Sequence, residues 1–362
     1  AAPAAATTPA AAAPAAAVDV TRLVDGHPVT TSVDAPGGRA ARALADRLHG
    51  AGDVLAADVA VRYEPVAVHD DPLLPHTLHL AAVRAPQAWE RTTGAGTLVA
   101  VLDTGVLADH PDLRGALLPQ VDVAPVPPGG DTPDTLLHGT LVASVLAARL
   151  GNGTGGAGVA PGAQVLPVRV CDPTCGSGAV AAGIDRAVAA GADVVNLSIA
   201  GPDRSRVVEE AVQRAVAAGV VVVAAAGNDG APCAPERPTG CGNPVVYPAS
   251  YPGVVSVSAS DLTGAAAGWA GHDERVDLSA PGEQVLGAVP PRSGRYDGTE
   301  YAFATGTSFA APQVAAAAAL VRAVAPAMPV ADVERTLVTA AAQAAWPAGY
   351  GAGLLVVWVA VA

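Results

Sequence analysis

Lysine is absent from this 362-residue chain, so all 20 of its basic residues are Arg. That absence excludes a phosphate-loop Lys, a Schiff-base Lys and a Ser–Lys dyad. Basic character is also scarce overall: 33 acidic residues stand against the 20 Arg, for a formal charge of −13. No run of Arg builds a basic face, and a nucleic-acid partner is excluded on that ground. Long hydrophobic runs are missing too. No apolar stretch reaches the ~18–20 residues of a membrane span without a polar or Pro interruption. The last run, residues 354–362, suits a buried strand or helix. Zinc-protease chemistry lacks its H-E-x-x-H signature among the eight His. Cysteine is held to four residues, Cys171, Cys175, Cys233 and Cys241. They fall as two local pairs, C-x3-C and C-x7-C, in Gly/Pro-rich loops, although four cysteines permit three pairings. Disulfides fit these loops better than free thiols, and zinc lacks its usual C-x2-C spacing. Disulfides place the protein outside the cytosol, so the expectation is a secreted or cell-surface protein.

What is present is a large core and a change of texture along the chain. Apolar residues make up 51% of the sequence, and its length allows two or three domains. Residues 1–17 are Ala, Pro and Thr only, a tether with nothing to bury. The chain opens Ala1-Ala2-Pro3, as it would after removal of a signal peptide. Residues 18–23 and 29–33 are β-prone, 39–49 helical, and 54–68 alternate apolar with polar. That predicts a small α+β unit over about 18–70. His69-Asp70-Asp71-Pro72 and Pro75 read as an exposed linker.

From about residue 78, apolar runs at 98–102, 165–170, 194–199, 220–226 and 254–258 alternate with Ala-rich helical stretches. The longest of these stretches covers about 308–324. Such alternation predicts a mostly parallel sheet covered by helices on both faces, doubly wound by right-handed crossovers. Ligands then bind at the carboxyl ends of the strands.

Chemistry-bearing residues stand at element ends. A buried strand, Val99-Ala100-Val101-Leu102, runs into Asp103-Thr104-Gly105. His138-Gly139-Thr140 puts a His at the start of a helix. Gly306-Thr307-Ser308 puts a Ser at the head of another. Singly these are a turn former, a solvated His and an N-cap. Together they supply what a hydroxyl nucleophile requires: a His to take its proton and a carboxylate to fix the His tautomer and stabilise its charged form. A helix N-terminus under Ser308 favours a developing oxyanion. The apolar run 220–226 ends in Gly227-Asn228-Asp229-Gly230, and an Asn amide there can donate to that oxyanion.

These segments resemble those of the subtilisin-like serine proteases, the subtilases. Asp-Thr-Gly, His-Gly-Thr, Ala-Ala-Gly-Asn and Gly-Thr-Ser-x-Ala-Ala-Pro appear in the family's order. Between them stand the connectors Gly158-Val159-Ala160-Pro161, Asn196-Leu197-Ser198, Tyr247-Pro248-Ala249 and Ser279-Ala280-Pro281-Gly282. The likeness covers about 80% of the chain. It implies a triad of Asp103, His138 and Ser308 acting through an acyl-enzyme, with an oxyanion hole of Asn228 and the Ser308 amide. It implies substrate-binding segments that include Ser198, Ile199, Ala200, Gly201, Ala225, Ala226 and Gly227, with the substrate added as a strand beside the first of them. Protein or peptide substrates, no catalytic cofactor and a monomer follow. It also implies a structural Ca²⁺ site from Asp112 and the loop of Leu150, Asn152, Thr154 and Gly156, oxygen donors of the kind that ion takes.

The N-terminal unit resembles an inhibitory propeptide whose tail, about 65–78, fills the cleft of the 71–362 peptidase domain until cut. The alternative is a permanently attached stabilising domain. Two departures stand out. Leu141 occupies a position that is often His in the family; the same Leu occurs in mycosin-like subtilases, whose membrane-anchoring C-terminal helix is not seen here. Ala200 stands where Gly is usual and narrows the groove. A non-catalytic peptide-binding scaffold is opposed by the intact set. An esterase is opposed by the missing G-x-S-x-G elbow and the chain order, and the acid-active sedolisin variant by His138.

Overall fold

The computed structural model describes residues 16–25, 27–49, 51–60, 70–124, 131, 133–172, 174–232, 241–291, 300–341 and 343–362, with only the backbone of 133 and 134. The chain divides into two compact units, Ala1–Val68 and His69–Ala362.

In the first unit, strands β1 (Ala16–Val24), β2 (His27–Ala35) and β3 (Val54–Val59) form an antiparallel sheet in the order β2-β1-β3, with helix α1 (Gly38–Leu48) beside it. Val18 and Val20 of the central strand alternate inward onto Ala41 and Ala45 of α1. Small side chains let helix and sheet approach closely, but the core they make is small. The expected alternation over 54–68 is strand as far as Val59, and residues 61–69 lie outside the described set.

The second unit opens with two short helices, α2 (Leu78–Ala82) and α3 (Ala85–Trp89). Strand β4 (Leu98–Asp103), strand β5 (Val121–Asp122), helix α4 (Pro133–Ala147) and strand β6 (Gln164–Arg169) follow. A hairpin of β7 (Cys171–Asp172) and β8 (Thr174–Cys175) leads to α5 (Ser177–Ala189), β9 (Val194–Leu197), α6 (Arg206–Ala217), β10 (Val221–Ala225) and β11 (Val254–Ser260). Strands β12 (Leu278–Pro281), β13 (Val285–Ala288) and β14 (Tyr301–Ala304) precede helices α7 (Thr307–Val324), α8 (Val330–Ala341) and α9 (Val357–Val361).

The main sheet has seven parallel strands in the order β12-β11-β10-β9-β4-β6-β5. Its strands are apolar on both sides because both sides are covered. Val99 and Val101 of β4 point into the core shared with α4 and α7, whereas Ala100 and Leu102 point into the core shared with α5 and α6. This is the doubly wound α/β fold. Strand β4 sits where the strand order reverses, with β6 on one side and β9 on the other, so its carboxyl end opens at the switch point where such sheets bind ligands.

Two local readings are revised, the place of His138 in its helix and the exposed linker. His138 is not at a helix start: α4 begins upstream at Pro133, a residue suited to the first helical turn. The supposed linker is partly buried, since Asp71 is 3% exposed and its carboxylate accepts the backbone N–H groups of Gly151, Asn152 and Gly153. Residues 71–77 are therefore tied to the 151–156 loop, with Leu73 N–H donating to the Gly155 carbonyl. The last run is both a bridge, at Leu354, and a helix, α9. Helix α7 is long and apolar enough to cross a membrane, yet it is a core helix, buried along most of its length.

Candidate active site

Asp103 ends β4 and is 1% exposed. Its carboxylate accepts the Thr104 N–H at 2.7 Å and meets His138 Nδ1 at 2.8 and 2.9 Å. A carboxylate accepts, so Nδ1 carries the proton and Nε2 is left as the basic nitrogen. Burial pulls the His138 pKa down, but the Asp103 charge and hydrogen bond outweigh it, and the ring ends above its ordinary value. About a third of the side chain (34%) still reaches solvent.

The turn after Asp103 is moulded to α4. Gly105 has φ 98°, a left-handed value that only glycine adopts freely. A Cβ on Gly139 would collide with the Gly105 carbonyl, so the residue after His138 must also be Gly. Thr104 Oγ1 accepts the Gly139 N–H at 3.2 Å, and Thr140 Oγ1 accepts the Leu107 N–H at 2.9 Å.

Ser308 lies in the first turn of the 18-residue α7, where unpaired N–H groups and the helix dipole point outward. Its hydroxyl donates to the Ser198 carbonyl at 3.1 Å, and Ser198 Oγ donates back to the Ser308 carbonyl at 2.8 Å. The structure thus brings Ser308 onto the end of β9 rather than into a hydrogen bond with His138. The two meet through the next residue, the Phe309 ring lying 5.6 Å from the imidazole.

Asn228 follows Gly227, whose φ is 88°. Its Oδ1 accepts the Thr307 N–H at 2.9 Å and faces Thr307 Oγ1 at 3.0 Å. With the oxygen end occupied, Nδ2 is the free donor, and it stands beside Gly306. Thr307 is a residue the sequence reading missed. Its only signal was its place in Gly-Thr-Ser.

The segments expected to bind substrate approach one another: a Cβ on Gly227 would lie 3.9 Å from Ala200 Cβ and 3.4 Å from Val246. Ala225 and Ala226 are buried. Ile199, Ala200 and Gly201 line a cavity of about 860 Å³ with Cys175, Val180, Val208, Tyr247 and Tyr251. Gly201 pairs with Tyr247 as an isolated antiparallel bridge. Leu141, in place of the usual His, is buried beneath Gly287.

Of the expected metal ligands, Asp112, Asn152 and Gly156 come together. Asp112 accepts from Asn152 Nδ2 and the Gly156 N–H, both at 3.2 Å, while Thr154 N–H donates to Asn152 Oδ1. Leu150 packs at the edge of the core. Asp71, the neighbour the sequence reading missed, meets the same loop through its backbone. Burial pushes the Asp112 carboxyl up to about 7, despite its hydrogen bonds, and the Asp71 charge adds to the push. Among the described residues no group of three or more His, Cys, Asp or Glu is arranged to hold a metal. Cys171 and Cys175 form a disulfide across the β7–β8 hairpin. Cys241 is disulfide-bonded as well, and Cys233 lies outside the described residues.

A doubly wound parallel sheet with an acid at its switch point, a paired imidazole and a helix-borne serine defines a serine hydrolase of the α/β class. The comparisons are more specific. Residues 94–353 match the model of the subtilase family, and the chain belongs to that family. It is 38% identical over 244 residues to thermitase of Thermoactinomyces vulgaris, covering 66% of this chain and 79% of that protein. It is 40% identical over 249 residues to subtilisin Savinase of Lederbergia lenta, covering 67% and 82%. An intracellular serine protease of Paenibacillus polymyxa is 38% identical over 245 residues, covering 66% and 71%. Among solved structures, proteases from Pseudoalteromonas arctica align with a TM-score of 0.68 at 29% identity, over 82% of this chain and 99% of that one. The protein is a serine-type endopeptidase of the Asp–His–Ser type, a class that needs no catalytic cofactor.

Proposed function

We propose that Asp103, His138 and Ser308 are the triad of this endopeptidase. The observation that carries the assignment is the 2.8 Å contact of His138 Nδ1 with the buried Asp103 carboxylate, on the face where α7 presents Ser308. Ser308 Oγ turns from the Ser198 carbonyl toward His138 Nε2, loses its proton there and attacks the scissile carbonyl. Asn228 Nδ2 and the Ser308 N–H hold the oxyanion. His138 returns the proton to the leaving amine, and water then releases the acyl-enzyme. The substrate lies as an added strand between 198–201 and 225–228.

The chain works as a secreted, self-processing zymogen and acts as a monomer. Residues 18–70 are the inhibitory propeptide and 71–362 the peptidase. The local Cys171–Cys175 disulfide supports an oxidising compartment. Ca²⁺ binds between Asp71, Asp112 and the 150–156 loop. Two buried carboxylates joined through Asn152, one of them reluctant to ionise, suit a hard cation with oxygen ligands.

Intact mass followed over time, beside a Ser308→Ala control, tests the zymogen. The wild type is expected to lose about 7 kDa (70 of 362 residues of a 35.4 kDa chain) from its N-terminus while the control stays whole. Two stable chains would make the N-terminal unit a fixed domain.

A further inference from the structure

Among the described residues, Arg169 is the largest side chain buried below 2% exposure. A guanidinium is charged at all working pH values and costly to bury unless every donor direction is met. Its donors reach three separate segments. Nε donates to Asp122 Oδ1 at 2.9 Å, at the end of β5. Nη2 donates to Asp131 Oδ1 at 2.6 Å, on the approach to α4. Nη1 donates to the Thr104 carbonyl at 3.0 Å, in the turn that leaves Asp103. Arg169 itself ends β6, in register with Asp103 on the adjoining strand β4. Gln120 extends the frame: its Nε2 donates to Asp122 at 2.8 Å, and its Oε1 accepts the Val106 N–H at 2.9 Å.

We propose that Arg169 is a positioning residue for the triad, a three-way brace that fixes the Asp103 turn against the segment entering the His138 helix. The proposal rests on the triad assignment above. It differs from a purely structural role because the turn is held from both sides. Gly139 packs against the Gly105 carbonyl, and Thr104 accepts the Gly139 N–H. A turn released on the Arg169 side moves relative to α4, and the Asp103–His138 contact is the first to lengthen. The planar fork is what does this: Lys keeps the charge but offers its donors from a single shorter-reaching nitrogen, which cannot serve three segments at once.

The test is Arg169→Lys in the full chain, with concentrations normalised to the fraction that takes a fluorophosphonate label, so that loss of folded enzyme does not enter. The expected result is kcat down at least tenfold, KM within twofold, and the acid limb of kcat displaced to lower pH as Asp103 loosens its hold on His138. Asp131→Ala, which cuts one arm from a partly exposed loop position, serves if the Lys variant does not fold. It is expected to lower kcat at least threefold with a limb shift of the same sign. A Lys variant with wild-type kcat, or a loss that leaves the acid limb in place, overturns the proposal. So does an indifferent Asp131→Ala. A wild type that takes no label at Ser308 overturns the triad assignment, and the brace with it.

Discussion

Asn228 is aimed by Thr307, and the two make separable predictions. Replacing Asn228 by Leu removes an oxyanion donor, so kcat should fall by about 10²–10³ with little change in KM. Thr307→Val keeps the backbone N–H to Asn228 but loses the hydroxyl. The loss should be about three- to tenfold in kcat, the effect of one hydrogen bond near 0.5–1.5 kcal/mol. Equal losses for the two variants would mean that Thr307 acts on something other than the amide. His138 sets the pH profile. The base must be neutral to accept the Ser308 proton, and its pKa is raised by Asp103 against the opposing effect of burial. Activity should therefore rise with pH through an acid limb above the ordinary His value of 6.5. In Asp103→Asn, burial is left unopposed, so the limb should move to lower pH while kcat drops by roughly 10⁴. Steady-state rates from pH 5 to 9 read both effects. The proposed triad was legible in the sequence because its residues sit in strict local motifs. Asp71 was not, because its partners are backbone amides about eighty residues away that only folding brings to it.

Strand and helix junctions carry the next set. Gly139→Ala drives a methyl into the Gly105 carbonyl. A kcat loss of at least tenfold with a lowered Tm is expected, since neither backbone can give way without moving Asp103 or His138. Strand β12 begins beside Asp277, whose carboxylate accepts the Ser256 N–H at 2.8 Å. Burial pushes Asp277 up to about 6, from 3.8, with Glu334 adding to the effect. The folded protein thus holds a proton that the unfolded chain releases. Stability should fall as pH rises from about 4 to about 6, by roughly 3 kcal/mol at most. Asp277→Asn keeps an acceptor for Ser256 and removes the titration. Tm scans should show the variant flat across that window and more stable at pH 7, whereas a parallel decline in both proteins would place the titration elsewhere. The sheet was readable because fully buried parallel strands leave continuous apolar runs. Helix α8 was passed over, although Val333, Leu337 and Ala341 recur every four residues along its buried face. Its period is plain only once α7 supplies a surface to cover.

The molecule as a whole is held by a large peptidase core and, on the reading above, by an ion. If Ca²⁺ bridges Asp71, Asp112 and their loop, Tm must climb with its concentration, the folded state gaining about 2.7 kcal/mol of stability at a hundredfold excess over Kd. Chelator should reverse the gain, and Asp112→Asn should abolish the dependence. A Tm indifferent to calcium and chelator alike would leave the buried Asp112 carboxyl, pushed up to about 7, to hold a proton in place of an ion. The measurement that reaches the central claim most directly is a peptide map of the protein after reaction with a fluorophosphonate. One adduct, on Ser308, is predicted, slowed sharply in His138→Ala and absent in Ser308→Ala. No adduct, or one on another residue that persists in the Ser308→Ala protein, would contradict the account.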